Sequence, residues 1–89
     1  MKEINLNFNL KDLSGQDLQD GNAGKLLSQL LASDGGQNPI KFWTWAQLFY
    51  GGQTIKMDAQ DIELLKNMIM TTDKLTALAK AQILEQLNK

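Results

Sequence analysis

From Ile4 to Leu10 the chain alternates without a break: Ile4, Leu6, Phe8 and Leu10 are apolar, and Asn5, Asn7 and Asn9 lie between them. A strict period of two predicts a strand over 4–10 with one face for a core and one for solvent. Ser14-Gly15 reads as a turn and Gln16–Gln19 as a short return strand. A two-stranded hairpin is marginal alone. Thr54–Met57, with Ile55 and Met57 on one side, is the candidate third strand behind it.

The rest of the chain has helical spacing. Leu26, Leu27, Leu30 and Leu31 predict a first helix from about Asn22 to Ser33, ended by Asp34-Gly35-Gly36. Asn38-Pro39 opens a second helix, which runs to Tyr50 and stops at Gly51-Gly52. Asp58 is the N-cap candidate of a third, with Asp61 in its first turn and Ile62, Leu65, Met68 and Ile69 as its apolar stripe. Thr72 or Asp73 caps a fourth, which continues to about Leu87. No internal repeat or linker interrupts this order, so residues 1–89 are read as one small domain.

Two helices carry more apolar surface than a simple stripe. Five of the six aromatics fall within Phe42–Tyr50. At 100° per residue, Trp45, Phe49, Phe42, Ala46, Tyr50 and Trp43 span an arc of about 160°. Phe42, Ala46 and Phe49 occupy its centre and are expected in the core. Trp45 stands at one edge, Trp43 and Tyr50 at the other, and the edge residues are candidates either for the core rim or for a partner surface. In the last helix Leu75, Ala79, Ile83 and Leu87 form one stripe, and Ala77, Ala81 and Leu84 a second on nearly the opposite side. The second stripe reflects either the helix propensity of alanine or a surface for self-association or a partner. The amino-terminal strand adds a further docking route, because an uncovered strand edge accepts another chain.

Composition narrows the chemistry. The 89 residues have a net charge of −1 and contain no Cys, His, Arg or Val; all nine basic residues are Lys. Absent Cys and His remove disulfides, thiol nucleophiles, zinc sites of the usual kind and the common neutral-pH general base. Absent Arg removes the bidentate fork for phosphate or guanine. Seven Asp and three Glu leave carboxylate-pair hydrolysis formally open, but so short a chain rarely encloses a substrate pocket. An enzyme is therefore not expected, nor any cofactor or metal. Asp12–Asn22 fails as a calcium loop, with no glycine at its sixth position and no glutamate at its twelfth. Gly21–Lys25 fails the phosphate-loop spacing. Lysines scattered among aspartates make nucleic acid an unfavoured partner. The amino-terminal residues alternate too quickly for a signal peptide, and no apolar stretch is long enough for a membrane span.

The order of signals also carries a resemblance. Asp12-Leu13-x-Gly15, Gly24-Lys25-Leu26-Leu27, Pro39 to Ala46, Leu48-Phe49-Tyr50-x-Gly52, Ile55 to Leu65 and Leu75 to Leu84 follow one another in a layout that resembles small proteins of tailed phages and prophages, largely of unassigned function. The Lys-only, Asn/Gln-rich composition is compatible with an AT-rich viral genome. The resemblance implies a protein of the host cytoplasm or the virion and carries over no functional residue.

Together these readings predict a mainly helical α+β domain, an amino-terminal hairpin on about four short helices. The expected function is non-catalytic protein–protein contact, as a structural or assembly accessory or an inhibitor of a host protein. Trp43, Trp45, Tyr50, Ala77, Ala81 and Leu84 are the candidate contact residues. The alternative is a small DNA-binding regulator that presents Gln60, Lys66 and Asn67 of the third helix.

Overall fold

The computed structural model describes residues 1–33 and 38–89. In chain order it contains β1 (Lys2–Ile4), β2 (Asn9–Lys11), β3 (Asp17–Asn22), α1 (Ala23–Ser33), α2 (Pro39–Tyr50), β4 (Ile55–Met57), α3 (Ala59–Thr71) and α4 (Ala77–Leu87). This is the expected mainly helical α+β architecture. Its radius of gyration, 12.2 Å, is that of a compact chain of this length, roughly 12 Å. The glycines expected to end the first helix lie outside the described residues.

The amino-terminal alternation is not one strand but two. Asn5 Oδ1 accepts from the Asn7 N–H at 2.8 Å, and the Phe8 N–H donates to the Leu6 carbonyl at 2.9 Å, so the backbone turns between β1 and β2. Asparagine competes with strand pairing through this kind of local bond. Burial still follows the period: Ile4, Leu6 and Leu10 are buried. The asparagines do more than face solvent. Asn5 Nδ2 donates to the Gly52 carbonyl at 3.3 Å and to the Thr54 hydroxyl at 2.9 Å, and Asn22 Nδ2 donates to Asn7 Oδ1 at 3.2 Å.

The break redistributes the strands. β1 pairs antiparallel with β4, Ile4 opposite Ile55 and Lys2 opposite Met57, while β2 pairs with β3 across an irregular register. The third strand therefore extends β1 and not the hairpin. The break also frees two carbonyls. Leu6 and Phe8 accept from the Gly24 and Ala23 N–H groups at 2.9 and 2.8 Å, and Asn22 Oδ1 accepts from Lys25 at 3.1 Å. The first N–H groups of α1, which no helix satisfies internally, are thus bonded to the strand segment.

The hairpin loop is closed by Asp12, whose Oδ1 accepts from the Ser14 N–H and hydroxyl and from the Gln16 N–H at 2.9, 2.6 and 3.0 Å. The Ser14 hydroxyl, followed by the Gln16 N–H, holds the Asp12 carboxyl below the ordinary carboxylate range. Hydrogen bonding and charge from Lys11 do the same for Asp17. A carboxyl depressed in the folded state stabilises it above the unfolded pKa and loses that contribution as pH falls through the folded value. Titration by NMR should find Asp12 and Asp17 protonating below a typical exposed aspartate, with hairpin order declining only below about pH 4. Ordinary values at both would show that these bonds do not persist in solution.

α2 ends with the Gln53 N–H donating to the Leu48 carbonyl and Gly52 to Phe49, at 3.0 and 3.1 Å. This paired closure places Gly52, φ 74°, in the left-handed region. The Asp58 carboxylate caps α3 by accepting from the Asp61 N–H at 2.7 Å. The fourth helix starts later than expected. Thr76 Oγ1 is its cap, accepting from Ala79, whereas Thr72 is extended and terminates α3. The bend between them lets Leu75 pack on the core from outside the helix.

α4 is buried on one side only, through Ala79, Ile83 and Leu87. Its polar residues cover the strands. Gln82 accepts from the Lys11 N–H at 2.9 Å and donates to the Lys11 carbonyl at 2.8 Å, pairing with the outer edge of β2 as another strand would. Gln86 donates to the Asn5 carbonyl at 3.2 Å. At Lys11, then, the expected docking edge is already occupied from within the chain. No helix among the described residues is long and apolar enough to cross a membrane.

Candidate interaction surface

α1 and α2 pack along their lengths and bury Leu27, Leu30 and Leu31 against Phe42, Ala46 and Phe49. All three residues expected at the centre of the aromatic arc are core. The edges divide. Trp43 and Tyr50 remain 55% and 57% exposed, whereas Trp45 is only 5% exposed. Trp45 stacks on Phe42 with ring centroids 5.7 Å apart. Lys41 lies over the Trp45 ring, with Nζ 5.8 Å from the ring centroid and 2.7 Å from Asp61 Oδ1 on α3. Hydrogen bonding to Asp61 raises the Lys41 pKa, so this clamp stays charged. Trp45 is therefore withdrawn from the contact candidates: its ring is buried and Asp61 of α3 holds Lys41 beside it, whereas Trp43 and Tyr50 leave the other edge of the arc exposed.

On the open side lies a groove of about 360 Å³, lined by Ser28, Gln29 and Ala32 of α1 and by Trp43, Ala46, Gln47 and Tyr50 of α2. Seven residues separate its aromatic walls, two turns or about 10.5 Å along the helix axis. The small side chains between them keep the floor low. The Ser28 hydroxyl donates to the Lys25 carbonyl at 2.7 Å and leaves no unsatisfied polar atom in the floor. Past Tyr50 the groove runs into a more polar depression of about 430 Å³, which shares Gln29 and Tyr50 and includes Asn9, Leu18, Asp20 and Lys25. Lys25 Nζ sits 5.5 Å from the Tyr50 ring centroid, at the junction.

The α4 candidates do not join this surface. Ala77 and Ala81 are exposed and carry only methyl groups; Leu84 is half-buried and packs on the core. None of the three lines the groove. The third-helix residues of the DNA-binding alternative also scatter. Gln60 and Asn67 are exposed beside Glu63, and Lys66 donates to Asn88 Oδ1 at 2.5 Å.

The contribution of α1 escaped the sequence reading. Ser28 and Ala32 stand four apart beside Leu27 and Leu31, a small-residue row that gains meaning only once α2 lies against it. Chemically, the groove offers apolar contact, two primary amides and a nearby cation. Among the described residues that line it, Tyr50 is the only titratable one. Among the described residues no cluster of three acidic side chains is placed to hold a metal ion. The chain matches no family model, no curated protein and no solved structure.

Proposed function

We propose that this chain is a non-catalytic phage or prophage protein that works by binding another protein through the α1–α2 groove, as an assembly accessory or as an inhibitor of a host protein. The observation that carries the reading is the pair of half-exposed aromatics, Trp43 and Tyr50, above a floor of Ser28, Ala32 and Ala46. Large amphipathic rings bring much contact area at low conformational cost and dominate the energetics of protein interfaces. Core burial does not require them there, since Phe42, Trp45 and Phe49 already fill the inner face of α2.

The test is capture of partners from host extract by the full chain, compared with Trp43→Ala, Tyr50→Ala and Ala81→Glu. Removing a hot-spot aromatic costs at least about 2 kcal/mol, some thirtyfold in affinity. Capture should fall by that order for the two groove variants and persist for Ala81→Glu. Undiminished capture by Trp43→Ala would sink the reading. Binding of duplex DNA at low salt would favour the regulator instead.

A further inference from the structure

We infer that the groove takes an extended peptide segment bearing a large apolar side chain and, two residues away on the same face, a carboxylate. The inference rests on the contact function proposed above and names its ligand. Apolar walls and small floor residues suit one large side chain between Trp43 and Tyr50. Gln29 and Gln47 flank that slot from facing helices, and neither side-chain amide has a hydrogen-bond partner among the described residues. A primary amide matches one N–H and one carbonyl of an extended backbone, as Gln82 does toward Lys11 in this same fold.

Charge sets the direction. The described residues form two ion pairs, Lys11–Asp17 and Lys41–Asp61, and Lys25 belongs to neither. Its ammonium instead rests near the Tyr50 ring, where the apolar slot meets the polar depression. An extended chain rises about 3.3 Å per residue and returns to the same face every second residue. An apolar residue in the slot therefore places a side chain two positions away on the same surface, about 7 Å toward Lys25. Asp20 lines that depression as the opposing charge, so it limits the preference for a carboxylate.

The probe is a blocked serine peptide with one leucine and a glutamate two residues to either side of it, titrated into the isotope-labelled full chain. It should shift the Trp43 indole and the Gln29 and Gln47 amide resonances. It should bind about two- to fivefold more tightly than the same peptide with glutamine, the range of an exposed ion pair, and that difference should vanish near 1 M salt. Moving both glutamates next to the leucine should also remove it. Lys25→Gln should abolish the glutamate preference without abolishing binding, and Asp20→Asn should widen it.

Equal affinity for all three peptides, or no shift at millimolar peptide, overturns the inference. So do Trp43 shifts that follow protein concentration without peptide, since the occupant is then a second copy. If Trp43→Ala loses its captured partner while the peptides are not distinguished, the contact function stands and the ligand assignment falls. If capture is unaffected, the contact function itself falls.

Discussion

Trp45→Ala should cost about 3–5 kcal/mol of stability, the usual range for truncating a buried tryptophan, whereas Trp43→Ala should cost less than about 1 kcal/mol. An 89-residue domain has a total stability of about 4–13 kcal/mol at 0.05–0.15 kcal/mol per residue. Losing Trp45 therefore removes roughly a quarter or more of it, and at the low end of that range leaves the chain unfolded at ambient temperature. The loss has three physical parts: the buried area of the indole, the stack on Phe42, and the contact of the Lys41 ammonium with its ring. Urea unfolding followed by far-ultraviolet circular dichroism measures both variants. The binding readout should invert, since Trp43→Ala leaves a folded protein with a damaged groove. Comparable destabilisation by both changes would mean that the two indoles share one environment, contrary to the 5% and 55% exposures.

This pair also shows how far the sequence could be read. On a helical wheel Trp43 and Trp45 each stand about 80° from the centre of the apolar arc, so amphipathicity ranks them equally. The choice is made by tertiary neighbours: α3 brings Asp61 to Lys41 on the Trp45 side, while the small residues of α1 leave the Trp43 side open. Helix caps were legible where one side chain decides, as at Asp58. For α4 the expected caps are Thr72 or Asp73, but Thr72 ends α3, Leu75 packs on the core before the helix begins, and the cap is Thr76. The strand alternation correctly placed Ile4, Leu6 and Leu10 inside. Continuity was not legible, because the turn at Asn5–Phe8 is stabilised by partners 15 or more residues away, among them Asn22, Gly24 and Gly52. Half of the candidate site was hidden for the same reason. A groove between two helices belongs to neither helix alone.

Gly24→Ala should destabilise the fold by about 2 kcal/mol, within the range for forcing a methyl group into a closed site, and lower the melting temperature by roughly 8–16 °C for a domain of this size. Two effects oppose each other. In a helix alanine gains about 1 kcal/mol over glycine from propensity. Against it, a Cβ at position 24 would lie 2.7 Å from the Phe49 carbonyl oxygen, 3.2 Å from that of Leu6 and 3.3 Å from Asn22 Oδ1. None of these oxygens is free to retreat. Phe49 accepts from Gly52 in the closure of α2, Leu6 accepts from Gly24 itself, and Asn22 Oδ1 caps α1. Steric conflict therefore outweighs propensity. Relief would come from separating α1 from the last turn of α2, which carries Tyr50, so a folded Gly24→Ala protein should also bind its partner more weakly. Gly51→Ala is the control. Its φ of −80° suits any residue and its nearest neighbour is 3.6 Å away, so alanine there should be neutral or stabilise by up to about 1 kcal/mol. Thermal unfolding of the two variants decides the matter: stabilisation by both would mean that propensity governs position 24 and that α1 does not meet α2 as closely as 2.7 Å requires.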